Sequence, residues 1–265
     1  MPELDLSSPL VHPAPAAATA EVHAGLAFAE LDGRTLLLDL YAPAGEPPEA
    51  GWPAVLLIPG TADPARLRGV RGWGQYTGWG RLLAAGGLVA VVAEHRSFEE
   101  AAPPRLADEV DAALAWVRAN AGRFGVDASR LAVFGTSAGV PLAVRVVAGA
   151  ADRSLRCAVA YYGYLDLPAD AEPVDGLARL SALAQLRGGA WFPPLLVVRA
   201  GRDRAELNGT IDAFVAEALT RNLAIELVNH PEGNHAFDIR DDTAESRRII
   251  RRTLWFLQER LHRPE

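Results

Sequence analysis

The sequence predicts an α/β protein: a mostly parallel central sheet with helices on both faces and an antiparallel hairpin at its N-terminal end. Three observations carry this expectation. Continuous apolar runs such as Ala54-Val55-Leu56-Leu57-Ile58 suit strands covered on both faces. Such runs alternate with stretches of helical periodicity, the pattern of βαβ units. Asp32-Gly33 stands between two strand-like runs, a hairpin signal because glycine accepts the positive φ of a tight turn.

The elements follow in order. Residues 1–20, punctuated by Pro2, Pro9, Pro13 and Pro15, read as an extended arm. They lack the basic start and apolar stretch of a secretory signal, so a cytoplasmic protein is expected. Residues 22–31 and 35–41 form the hairpin, 43–53 a Pro/Gly/Glu loop, and 54–58 a buried strand ended by Pro59-Gly60. A helix over 78–85 and a strand over 88–93 come next. The spacing of Val110, Ala113, Leu114 and Val117 predicts a helix over 106–120, with Gly122 and Gly125 ending it. A strand over 130–134 runs into Gly135-Thr136-Ser137-Ala138-Gly139 and then a helix through residue 147. Strands over 157–161, 195–199 and 224–228 and helices over 211–219 and 245–261 complete the alternation. With no repeat or linker in view, 21–265 reads as a single domain, and the irregular stretch 163–193 suits a small cap over a site.

Composition narrows the function. Of 265 residues, 50% are hydrophobic and 22% charged, ordinary for a globular chain, and no run of about 18 apolar residues exists to span a membrane. Acids outnumber bases 33 to 26, which argues against a general nucleic-acid binder. Every base is arginine, a mark of genomic composition. The lone Cys157 excludes an intramolecular disulfide and a Cys-rich zinc site, and its apolar neighbours make it a buried, inert thiol. There is no His-x-His or His-Glu-x-x-His spacing and no phosphate-binding glycine loop, so neither metal nor cofactor is expected. Nothing indicates an oligomer.

The chemistry centres on Ser137. It sits in Gly-x-Ser-x-Gly between a buried strand and a helix, where a sharp turn leaves no room for side chains at 135 and 139. Such a turn lifts the hydroxyl above the sheet at the positive end of the next helix. A serine hydroxyl needs a base within hydrogen-bond reach. His235 lies in a Gly-containing loop after the last strand, on the edge where open α/β sheets place their sites, and His230 is its rival. The base needs an orienting carboxylate. Asp203, in the turn after strand 195–199, gives the chain order Ser, Asp, His, and Asp166 is the alternative. For the oxyanion, one donor is expected from the backbone N–H of Ala138 and the other from Thr61, with Ala62 next in line.

Together, Ile58-Pro59-Gly60-Thr61, Phe134-Gly135-Thr136-Ser137-Ala138-Gly139, Ala200-Gly201-Arg202-Asp203 and the segment from His230 to Phe237 resemble the α/β-hydrolase fold, and within it the dienelactone hydrolase-like branch. The resemblance spans about residues 35 to 262 and implies hydrolysis of carboxylic esters or lactones without a cofactor. The chain departs from dienelactone hydrolases in having serine rather than cysteine at 137, and from many esterase relatives in having Pro59-Gly60 in place of His-Gly-Gly.

Loop 61–80 suggests a substrate pocket. Arg66, Arg68 and Arg71 suit a carboxylate-bearing substrate, with Trp73, Tyr76 and Trp79 beside them; the same residues suit better a solvated arginine cluster over packed aromatics. Trp191 and Phe192 line either the cap or the core, and His95 lies near the site edge or merely ends a strand. The arginines of the last helix read as its solvated face. Competing functions are an acyltransferase or peptidase using the same three groups, and a ligand-binding protein that keeps the fold without turnover.

Overall fold

The structure is a computed structural model, and it describes residues 5, 7–15, 19–60, 64–149, 154–167 and 177–262; of Arg66 only the backbone is described. Eight strands form one sheet: β1 (Ala20–Leu31), β2 (Arg34–Pro43), β3 (Trp52–Ile58), β4 (Val89–Ala93), β5 (Val126–Thr136), β6 (Leu155–Tyr161), β7 (Leu195–Ala200) and β8 (Ile225–His230). Their order is β1-β2-β4-β3-β5-β6-β7-β8. The β1–β2 and β2–β4 pairs are antiparallel and the rest are parallel, as the apolar runs and the Asp32-Gly33 signal predict. Asp32 and Gly33 both have positive φ, 51° and 74°, the geometry of a two-residue hairpin turn.

The helices are α1 (Pro64–Leu67), α2 (Gly74–Ala85), α3 (Pro103–Ala119), α4 (Val140–Val147), α5 (Ala182–Arg187), α6 (Ala205–Thr220), α7 (Phe237–Arg240) and α8 (Ala244–His262). Because successive strand side chains point to opposite faces, Leu56 and Ile58 join α3, α4, α5 and α6 in one core, while Val55 and Leu57 join α2, α7 and α8 in the other. Cys157 is fully buried in the second core, and burial pushes its thiol up to about 12. On α8, Arg248 pairs with Glu245 at 2.6 Å and Arg247 with Asp242 at 2.6 Å. No helix among the described residues is long and apolar enough to cross a membrane.

Several boundaries differ from the sequence reading. Helix α2 begins at Gly74 rather than 78. Its glycines suggest a break, but Gly74 and Gly78 are where the arm lies against the helix, and a Cβ at Gly78 would stand 2.8 Å from Leu10 Cβ. Leu10 is accordingly 2% exposed. Strand β5 begins at Val126, which pairs with Trp52. Gly122 does not end α3: it lies within a 3-10 turn (Ala121–Phe124), and the chain reverses at Gly125 with φ 61°. In the stretch read as a cap, the described part holds a 3-10 turn (Leu177–Leu180) and α5.

Candidate active site

The site is assembled at the C-terminal edge of the parallel strands. Ser137 follows β5 directly, with φ 50°. That left-handed conformation is costly for a residue with a side chain, and it is held because the flanking positions are bare. A Cβ at Gly135 would lie 2.8 Å from Ala143 Cβ, and one at Gly139 would overlap the carbonyl oxygens of Ile58 and Pro59. Loop residue Gly60 is equally constrained, since its Cβ would meet Ser137 Cβ at 2.9 Å.

Three predicted side chains meet here. Ser137 Oγ lies 2.8 Å from His235 Nε2, and His235 Nδ1 lies 2.5 Å from Asp203 Oδ2. The Asp203 side chain is 1% exposed and that of His235 20%. Burial alone would raise the Asp203 carboxyl, but the hydrogen bond and charge of His235 outweigh it, aided by the Arg204 N–H at 2.8 Å, and hold it below its ordinary value. The rivals are engaged elsewhere. His230 Nε2 bonds Ser246 Oγ at 3.0 Å and its ring packs edge-on to Phe237. Burial lowers its affinity for a proton. Asp166 accepts from Ser181 Oγ at 2.6 Å and Leu167 N–H at 2.9 Å.

Ala138 is the middle residue of the 3-10 turn (Ser137–Gly139) that leads into α4 and directly follows the serine. Thr61 and Ala62, expected to supply the second donor, lie outside the described residues. The N–H of Gly60 is already committed, to Tyr76 Oη at 2.7 Å and Thr136 Oγ1 at 3.1 Å.

The substrate-contact expectations need correction. Tyr76 is 1% exposed and serves the Gly60 loop from below; full burial pushes its phenol up. Trp73 is buried beside it, ring centroids 6.0 Å apart. Arg71 is held by Asp39 and, at 3.4 Å, by Glu94, so its charge is neutralised inside the fold. Trp191 precedes β7 and so lies at the opposite edge of the sheet, where its carbonyl accepts from Gly149 N–H at 2.7 Å. The Arg66 side chain lies outside the described set, and Arg68 is 69% exposed, 3.7 Å from Glu100.

Sequence reasoning missed a layer of bracing. His95 is 1% exposed, with Nε2 2.9 Å from Pro59 O and Nδ1 2.7 Å from Arg96 O, so it ties β4 to the loop that carries Gly60. Asp238 is wholly buried and accepts from Tyr162 Oη at 2.6 Å, Gln75 Nε2 at 2.9 Å and Trp79 Nε1 at 3.0 Å. Burial pushes its carboxyl up against the pull of those donors. The Tyr162 ring stands edge-on to His235, centroids 4.9 Å apart, and Ala236, next to His235, has φ 61°. The signal for Asp238 was its place three residues after His235; its partners are distant in sequence.

Beside Ala138 lies a cavity of about 230 Å³ walled by Phe98, Pro141, Tyr164, Leu177 and Leu180, with almost no polar surface. Its walls can hold an apolar group next to the serine hydroxyl.

The fold finds counterparts among solved structures. A thermophilic esterase from Thermogutta terrifontis, Est2 with propionate bound, superposes with a TM-score of 0.72 at 22% identity over 93% of this chain and 97% of that one. The chain has the α/β-hydrolase fold. A thermostable esterase from Pseudomonas putida ECU1011 matches this chain with a TM-score of 0.69 at 20% identity, over 99% of this chain and 86% of the other. The BD-FAE family model matches residues 38–164 of the chain. Esterase LipC of Mycobacterium tuberculosis (strain ATCC 25618 / H37Rv) is 27% identical over 245 residues, 79% of this chain; the chain spans 59% of that relative's length.

Proposed function

We propose that this chain is a serine hydrolase that cleaves carboxylic esters or lactones of small molecules through an acyl-enzyme on Ser137. The observation that carries the reading is the unbroken series Ser137 Oγ, His235 imidazole, Asp203 carboxylate, joined at 2.8 Å and 2.5 Å on one edge of the sheet. Similarity to proteins named esterases supports it.

In this mechanism His235 Nε2 takes the Ser137 proton as the oxygen attacks the ester carbonyl. The Ala138 N–H, with a donor from the loop beyond Gly60, holds the oxyanion. The imidazolium, oriented by Asp203, then protonates the departing alcohol. A water molecule repeats the route on the acyl-enzyme: His235 takes its proton as its oxygen attacks the acyl carbon, the bond from that carbon to Ser137 Oγ breaks, and the His235 imidazolium returns the proton to Ser137 as the acid leaves. The neutral form of His235 is the base.

The apolar cavity beside Ala138 favours uncharged acyl groups, and the pairing of Arg71 with Asp39 and Glu94 removes the main support for a carboxylate-binding pocket. The test is steady-state hydrolysis of short nitrophenyl esters. Ser137→Ala lowers kcat by about four to six orders of magnitude, with the fold retained by circular dichroism. A variant that hydrolyses at the wild-type rate refutes the proposal.

A further inference from the structure

The apolar cavity has a neighbour. A second cavity of about 190 Å³ lies between the start of α3 (Pro103, Pro104, Ala107, Asp108), Arg145 of α4 and the turn residue Arg179. The residue common to the walls of both cavities is Leu180. It ends the 3-10 turn (Leu177–Leu180), is 3% exposed, and belongs to the core shared by α3 and α4. Ala138 and Leu180 both line the first cavity.

We propose that Leu180 is the specificity-determining residue for acyl length: its side chain partitions two cavities that would otherwise form one channel, and so ends the space open to the acyl chain. The proposal rests on the hydrolase reading above. It assigns the acyl group to this cavity for a kinetic reason. The acyl chain stays on Ser137 through both steps, while the alcohol must leave after the first. A cavity with an inner wall suits the group that stays. The substrates are then esters of short, uncharged acyl chains, and chain length beyond the wall is rejected by contact with Leu180.

The experiment is kcat/KM for nitrophenyl esters of increasing acyl length, measured on the full chain, with phosphonate labelling of Ser137 as a second readout. In Leu180→Ala the optimum moves to longer chains, with a gain of about fourfold for each methylene that finds room in the joined space. Leu180→Phe, which keeps the position filled should the smaller side chain unfold the turn, moves the optimum to shorter chains. Adding Ala107→Phe to Leu180→Ala refills the second cavity and reverses the gain, which a loss of packing alone would not do. If Leu180→Ala is labelled at Ser137 and hydrolyses short esters with an unchanged length profile, the partition is overturned and the hydrolase reading stands. If the wild-type chain cleaves none of the esters and takes no label, that reading fails and this proposal with it.

Discussion

The two edges of the sheet each carry a cavity, and the larger one is not at the site. At the N-terminal edge a cavity of about 340 Å³ is lined by Glu21, His23, Trp52, Arg123 and Phe124. It has an acid, an imidazole 3.0 Å away, and a guanidinium 5.0 Å above the Phe124 ring. At the C-terminal edge the cavity is about 230 Å³ and nearly all apolar. What separates them is desolvation and strain. Glu21 is 64% exposed, whereas Asp203 is 1% exposed. A carboxylate–imidazole pair in water is worth little, and the same pair shielded from water can hold a ring in one orientation. Among the described non-glycine residues with positive φ, Ser137, Tyr162 and Ala236 cluster at the C-terminal edge; Asp32 lies in the hairpin turn and Asn222 just after α6. Backbone strain persists only where surroundings over-determine it, and here those surroundings aim a hydroxyl at an imidazole.

Substitutions sharpen the contrast. The largest effect is expected at the carboxylates that face the two imidazoles. Asp203→Asn loses about three to four orders of magnitude in kcat with a small change in KM, while Glu21→Gln at the other edge leaves both unchanged. Equal effects in ester-hydrolysis kinetics would erase the distinction between the edges. Next is the bracing beneath His235. Asp238→Ala strands the donors of Gln75, Trp79 and Tyr162 and destabilises the fold by about 3 kcal/mol, a drop of about 6–12 °C in Tm by calorimetry. An unchanged Tm would mean that the network carries no load.

Acid titration separates the edges more finely. Asp203 is held below its ordinary value of 3.8, so its contribution to stability is complete above that value and is lost as the pH falls through its lower, folded-state value. The stability gap between wild type and Asp203→Asn, read from urea unfolding, therefore narrows below about pH 4. A gap that widens as pH falls would reverse the assigned sign. The smallest effect belongs to the N-terminal cavity: Trp52→Ala and Arg123→Ala alter kcat/KM by less than about twofold.

Much of this was legible in the sequence because the signals are local. Gly135 and Gly139 announce the turn at Ser137, Asp32-Gly33 the hairpin, and the apolar run 54–58 a two-faced strand. The order of Ser137, Asp203 and His235 sets their place on the edge once the strands are parallel. The errors share another cause. Tyr76, Trp73 and Arg71 look like pocket residues in a one-dimensional reading because they are aromatic or charged and lie near the oxyanion loop. Their partners, Thr136, Asp39 and Glu94, come from distant strands or their ends, and only the folded chain reveals that these side chains face inward. Trp191 failed for a topological reason, since residues before a parallel strand emerge at the edge opposite its end. His95 has no local signal that decides its role, and its bonds to the Pro59 and Arg96 carbonyls place it as a brace of the site edge.

The central claim is that Ser137 is a nucleophile activated by His235. Its most direct test is covalent labelling of the full chain with a fluorophosphonate, followed by peptide mass analysis and repeated on His235→Ala. The account predicts a single adduct on the peptide containing Ser137, formed at least about a thousandfold more slowly in the variant. An unmodified Ser137, or labelling of the variant at the wild-type rate, would contradict it.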